Sequence, residues 1–536
     1  MILKLQRQEH TVSVSQIPSC LIHYTGTAVV KLSLLLFVFS IALLTITSCS
    51  NRHRKHLSED KLKHFQSDNL RYHPETIRAL VLDMASNDNR FRFVSKRVAE
   101  YYNDNNTFVW ISLSGVKTNA DSLLNIISKH CDDTGLRLSM FNIENIKKDI
   151  DILSSPNAIK DINKSAAAVE YALTKVLFLM ASTQAYGLVN PDNIYNHIEK
   201  YNVDSLTTRY RRLCDYGLSR PQASFFHNAA RMAKEGYLSS FIDSLQPATP
   251  LYTMLINKLK SVAKTDRHSR LKILANIERC RWHSSRFSSH SKAELNNYNV
   301  MVNIPSFSLR AVKGNEILSM AVGCGTKDHK TPMLTSFITR MDVNPQWIVP
   351  KSLAADYAFN KPRMHNLGMF VLDKKRGKLP PESLSFSRIN DGQQYIIQAG
   401  GRKNSLGRII FRFDNAFSVF LHDTSSPWLL QRSYRAVSHG CVRLAKPLDL
   451  ALFLLNDNKS DKADKLRYSM TVETDGDDGS KVDKKKIIRT ININPCVPLT
   501  ISYFTFFYNE SGGLAEFNDV YNYDDALIEA IQPYVN

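Results

Sequence analysis

The chain has 536 residues, 43% of them hydrophobic, with 69 Lys and Arg against 50 Asp and Glu for a formal net charge of +19. That length exceeds what one apolar core organises efficiently, so two or three domains are expected, and the apolar content is enough to build them. The basic excess suits a polyanion such as anionic lipid or cell-envelope polymer; no RNP-like, zinc-finger or basic-heptad pattern accompanies it, which sets nucleic acid aside.

The first predicted element is a leader. Lys31 precedes sixteen apolar or small residues, 32 to 47, and Cys49 follows Ile46-Thr47-Ser48. A membrane span usually needs about 20 apolar residues, whereas a run of this length suits a secretory signal. The segment resembles the bacterial lipobox. That resemblance implies a lipoprotein-type signal peptide over residues 1–48, cleavage before Cys49 and acylation of its thiol, hence a membrane-anchored protein of the cell envelope or periplasm. An uncleaved anchor reaching back through Ala28 to Val30 is the alternative, and which membrane holds the chain stays open. Residues 49–75 are polar and basic and read as a tether.

Residues 76–282 carry helical periodicity. Leu123, Leu124, Ile126 and Ile127 follow Asp121-Ser122, an Ala-rich stretch runs from Ser165 to Tyr186 before Gly187, and further helices are expected over 222–244 and 266–282. Five serines interrupt the pattern in HSSRFSSHSKAEL, so residues 283–295 are assigned as a linker. From 296 to 536 short strands dominate: 298–304, 307–312, 317–323, 407–413, 417–423 and 497–508. A hairpin is expected at Asp414-Asn415. One helix is expected over 446–456 with Pro447 in its first turn, and another near Asp524 to Ile531. Residues 351–394 are too long and too apolar, with Phe370, Val371 and Leu372, for a bare loop. The fold class is α+β, a helical N-terminal part followed by a mainly-β part.

The chemistry concentrates at His422, followed after fifteen residues by Ser438-His439-Gly440-Cys441. A thiol becomes a strong nucleophile when a base or positive charge lowers its pKa. His422 closes an apparent strand, and Gly440 lets backbone approach a substrate, leaving the N–H groups of Gly440 and Cys441 as candidate oxyanion donors. Arg443 supplies charge that would depress the thiol pKa or hold a substrate carboxylate. A zinc site of His422, His439 and Cys441 competes with this reading but has no evident fourth ligand. The acidic stretch at Asp475 to Asp478 fails as an EF-hand, with Ser480 where glycine is needed and Lys486 where glutamate is. GCGTKD at 323–328 lacks the P-loop ending. The cysteines form no CxxC, and Cys131, Cys214, Cys280, Cys324 and Cys496 read as small apolar residues. No metal or cofactor is expected.

At these residues the chain resembles the bacterial L,D-transpeptidases, whose signature is a histidine followed by Ser/Thr-His-Gly-Cys, an apolar residue and Asn or Arg. Ile304-Pro305 with Ser308-Leu309, Thr331-Pro332-Met333, Asn344-Pro345 with Trp347, Asn404 with Leu406-Gly407-Arg408, and Leu421-His422-Asp423-Thr424 occur in the order of the large two-domain members. Ile277-Glu278-Arg279 before Arg281-Trp282 resembles their domain junction. The likeness extends over most of 60–536 and is strongest from 296 to 456.

The resemblance implies a helical scaffold domain over 76–282 and a catalytic domain over 296–536, with 351–394 as a capping subdomain. It implies Cys441 as nucleophile, His422 as base and the Asp423 carbonyl as its orienter. His439, Gly440 and Ser438 would support the site, while Arg443, Trp347, Tyr395 and Asn404 would contact substrate. The implied partners are peptidoglycan tetrapeptide stems, as donor and acceptor of a 3-3 cross-link made through a Cys thioester, and carbapenem-type inhibitors. Between Pro250 and Trp282 there is no room for the peptidoglycan-binding module of some large relatives. Two other functions fit the residues: an envelope lipoprotein that binds peptidoglycan without turnover, and a cysteine carboxypeptidase or endopeptidase.

Overall fold

The computed structural model describes residues 71–536 except 105–106, 156–158, 203–207, 456–458 and 473–481. The expected signal peptide with Cys49, most of the expected tether and the acidic stretch at 475–478 lie outside the described residues.

Among the described residues the first part is carried by nine helices of eight or more residues: α1 Pro74–Asn87, α2 Arg92–Asp104, α3 Asn119–Thr134, α4 Ile143–Leu153, α5 Ile162–Tyr186, α6 Ala223–Lys234, α7 Leu238–Leu245, α8 Pro250–Ser261 and α9 Arg267–Cys280. Helix α5 is apolar on nearly every side, and a helix with no polar face has to be buried; α1 to α4, α6 and α7 pack around it. It is long and apolar enough to cross a membrane, yet here it is the axis of the helical part. Asp161 caps its start by accepting from the N–H groups of Asn163 and Lys164. Gly187 ends it, where a side chain would strike Glu278 Oε1 at 2.5 Å. The single helix expected over 222–244 is two, broken at Gly236, whose φ of +85° a helix cannot hold.

The second part is built on one ten-stranded sheet. Its strands are β1 Tyr298–Asn303, β2 Ser308–Lys313, β3 Glu316–Gly325, β4 Met333–Val343, β5 Ile409–Phe413, β6 Leu421–His422, β7 Ala436–Ser438, β8 Val442–Leu444 and β9 Thr490–Ser502, with Cys214–Asp215 added beside β4. The order is β5-β6-β8-β3-β2-β1-β9-β4, and β5 also pairs with β4, so the sheet closes on itself. Alternation drives the burial: Val300 and Val302 on β1 and Leu309 and Ala311 on β2 face the core. Helices α10 Pro447–Leu455, α11 Asp461–Thr471 and α12 Tyr523–Ile531 complete this part.

The strand expected over 417–423 forms only at Leu421–His422. Before it the backbone loops around Asn415, whose Oδ1 accepts from the N–H groups of Phe417 and Val419, and Ser418 takes a φ of +55°. The hairpin survives with a longer turn, as Ile410 faces His422 and Phe411 faces Leu421.

The insertion has its own sheet, in the order Trp347–Ile348, Gln394–Gln398, Met369–Asp373, Gly377–Leu379. It also has its own apolar cluster of Val349, Ala354, Met364, Met369, Ile389 and Ile396. This layer reaches beyond 351–394 to Trp347 and Gln398, because the first and last strands pair with each other.

The helical and sheet parts share one apolar core. Buried polar groups register them: Arg279 on α9 pairs with Asp524 on α12 at 2.7 Å, and Asn276 Oδ1 accepts from the N–H groups of Thr505 and Phe506. Glu278 accepts from the N–H groups of Leu188 and Val189.

Candidate active site

Strands β6 and β8 run parallel, with Leu421 opposite Val442 and His422 opposite Arg443. Cys441 is the last residue before β8, so the pairing sets thiol and imidazole at neighbouring strand ends. The Val442 N–H donates to the Phe420 carbonyl at 2.9 Å and locks the register. The turn before it is made possible by Gly440, at φ +113°.

Ser438 Oγ shapes that turn. It accepts from the Gly440 N–H at 3.1 Å and donates to the Cys441 carbonyl at 2.5 Å. The Gly440 N–H is therefore engaged and not an open oxyanion donor, contrary to the sequence expectation. The Cys441 N–H has no hydrogen-bond partner among the described residues.

His422 is buried, and its Nδ1 lies 2.5 Å from the Asp423 carbonyl. A carbonyl can only accept, so Nδ1 carries the proton and Nε2 keeps its lone pair. Burial lowers the imidazole pKa to about 4, aided by the Arg443 charge and opposed by the carbonyls of Asp423 and Leu406. Burial pushes the Cys441 thiol up, against the pull of the Phe420 N–H and of Arg443. Thiol and imidazole are thus both neutral near pH 7 and do not form a standing thiolate–imidazolium pair.

The Asp423 side chain serves the backbone. It accepts from the N–H groups of Arg408 and Thr424 at 2.8 and 2.7 Å. Gly407, at φ +64°, packs so tightly against it that an added Cβ would lie 2.5 Å from Asp423 Cβ.

Arg443 is half-buried beside the thiol. Its Nε is buried without a hydrogen-bond partner, and no carboxylate pairs with it among the described residues. Trp347 stands edge-on to Tyr357, centroids 5.8 Å apart, and Tyr357 neighbours Arg443, so the insertion borders the site. His439 is exposed, its ring 4.6 Å from that of His329 and within electrostatic reach of Arg443 and Asp356.

Two expected substrate residues belong elsewhere. Asn404 is buried: its amide donates to the carbonyls of Pro345 and Ala399 at 3.0 and 2.8 Å, and its Oδ1 accepts from the Leu406 N–H. It builds the 404–408 turn that presents Leu406 and Gly407 to His422 and Asp423, and leaves no group for a ligand. Tyr395 sits in the insertion's sheet, opposite Leu372 and near Lys374 and Gly392, and none of these three is a neighbour of the thiol. Residues that sequence reasoning missed as site neighbours are Tyr357, Asp356 and His329; only contact across the fold identifies them. Among the described residues no group of three or more His, Cys, Asp or Glu side chains is placed to hold a metal.

A thiol on a glycine turn, a backbone-locked neutral imidazole and an unpaired guanidinium together suit thiol-dependent acyl transfer. The comparisons with known proteins agree. Residues 297–482 match the YkuD L,D-transpeptidase catalytic domain, and residues 96–259 match the family described as a scaffold domain. The chain thus carries a scaffold domain followed by a YkuD L,D-transpeptidase catalytic domain. A Haemophilus influenzae protein provisionally named as an L,D-transpeptidase is 27% identical over 323 residues, 58% of this chain and 60% of its own length. The match thus spans about three-fifths of that relative. A solved L,D-transpeptidase from Mycobacterium smegmatis is similar at 17% identity over 29% of this chain and 51% of its own, with a TM-score of 0.15, too slight an overlap to bear on the fold.

Proposed function

We propose that the chain is a cell-envelope peptidoglycan L,D-transpeptidase that forms 3-3 cross-links through a thioester on Cys441, anchored by acylation of Cys49. The observation that carries this reading is Arg443, a half-buried cation beside a thiol with no carboxylate paired to it among the described residues. Half-buried unpaired charge is unfavourable, and a stem-peptide carboxylate would supply the missing partner.

Cys441 Sγ attacks the carbonyl of the third stem residue while the S–H proton passes to His422 Nε2. The oxyanion faces the Cys441 N–H. The C–N bond to the fourth residue breaks, and that residue leaves as an amine carrying the imidazolium proton. The acceptor amine then attacks the thioester; the C–S bond breaks, the new amide forms, and the proton shed by the amine returns through His422 to the thiol.

The test is muropeptide analysis after incubation with purified tetrapeptide stems. Wild type should give tripeptide–tetrapeptide dimers, and Cys441→Ala none, with an unchanged melting curve. Dimer formation surviving in Cys441→Ala would sink the mechanism. Cys49→Ser should release the protein from membranes, and retention would exclude the lipid anchor.

A further inference from the structure

Thr331, Gly325 and Tyr521 close a hydrogen-bond circuit to which Gly440 is joined through Thr331, although Thr331 lies 109 residues from Gly440 and 190 from Tyr521. The Tyr521 hydroxyl donates to the Gly325 carbonyl at 2.6 Å and accepts from the Thr331 N–H at 3.1 Å. Thr331 Oγ1 accepts from the Gly325 N–H at 2.8 Å, so its one hydroxyl proton is committed to the Gly440 carbonyl, at 2.9 Å. Thr331 is wholly buried and Tyr521 nearly so, which leaves no water to replace either partner.

The Gly440 carbonyl and the Cys441 N–H belong to one planar peptide unit. A hydrogen bond that fixes the carbonyl therefore fixes the direction of the N–H on its other side, which has no partner among the described residues. It also draws electron density toward oxygen and makes that N–H a stronger donor. Gly440 is the residue that most needs such a restraint, since without Cβ the peptide flanking it turns freely.

We propose that Thr331 is a positioning residue that aims the Cys441 N–H at the oxyanion, and that Tyr521 holds Thr331 in place. The inference rests on the acyl-transfer reading of Cys441. It predicts that Thr331 matters where a carbonyl oxygen becomes negative and not where the thiol reacts without one. Acylation by a carbapenem passes through an oxyanion; alkylation by iodoacetamide displaces iodide at saturated carbon and does not.

The experiment compares both rates at Cys441 by intact-protein mass spectrometry in wild type, Thr331→Val, Thr331→Ser and Tyr521→Phe. Thr331→Val should slow carbapenem acylation roughly ten- to hundredfold and leave alkylation within about twofold. Thr331→Ser keeps the hydroxyl and should restore acylation, and Tyr521→Phe should shift the same ratio by less. Equal loss of both rates would mark Thr331 as merely structural and overturn the proposal, as would acylation unchanged in Thr331→Val. If Thr331→Val does not fold, the ratio in Tyr521→Phe decides alone. Absence of acylation in wild type would instead remove the acyl-transfer reading, and the inference with it.

Discussion

Arg443 acts on two neighbours with one charge, lowering the pKa of both the His422 imidazole and the Cys441 thiol. The productive form holds a neutral imidazole and a protonated thiol, so it exists between those two pKa values. With His422 at about 4, the acid limb of kcat/KM should lie well below the 6.5 of a free histidine. Removing the charge in Arg443→Ala raises both pKa values, so both limbs should move to higher pH. The acid limb should still stay below 6.5, because burial, the larger cause, remains. If Arg443 holds the stem carboxylate as proposed, its loss should also raise KM roughly ten- to hundredfold. Arg443→Lys should keep the limbs near their wild-type positions while binding substrate less well, since an ammonium cannot make the two-pronged contact. A downward shift of the acid limb in Arg443→Ala would contradict this account.

At the scale of elements, the placement of the His422 imidazole depends on the 404–408 turn. Gly407 there has a positive φ and lies against Asp423, whose backbone carbonyl pins the imidazole. Gly407→Ala forces a Cβ into that contact and should destabilise the fold by about 1–3 kcal/mol. It should also free the His422 ring, so turnover falls further than unfolding explains; denaturant titration and kcat on the same sample check this. How much of this was legible in sequence follows from range. The motif around His422 and Cys441 is local, as are the apolar periods of α3, α5 and α10, and these were readable. The end of the strand before Leu421 was hidden because Asn415 binds the backbone of Phe417 and Val419, and a side chain's destination is not written in an alternating pattern. Asn404 is expected as a substrate contact only by what the resemblance implies, and local sequence does not reveal that its amide is spent on the backbone carbonyls of Pro345 and Ala399.

Across the whole molecule, the helical part is coupled to the site by buried polar contacts more than by chain connection. Arg279 stacks on Tyr503, which packs against Tyr521, and Tyr521 closes the circuit through Thr331 to the Cys441 turn. Arg279 is also paired with Asp524, and both side chains are almost fully buried. A buried pair contributes little relative to an apolar replacement, but removing one partner leaves the other charged and unpaired, which costs about 3–5 kcal/mol. Asp524→Asn keeps the shape and removes only the charge. It should therefore lower the melting temperature of the whole chain as one step, seen together in helical far-UV signal and in the tyrosine near-UV signal, since both parts share the core that Arg279 spans. Below that transition the variant should acylate more slowly than wild type yet alkylate at the same rate, because the disturbance reaches the Cys441 N–H through Tyr503 and Tyr521 and leaves His422 untouched. Two separated melting steps already in the wild type would show that the two parts fold independently and would remove the physical basis for this coupling.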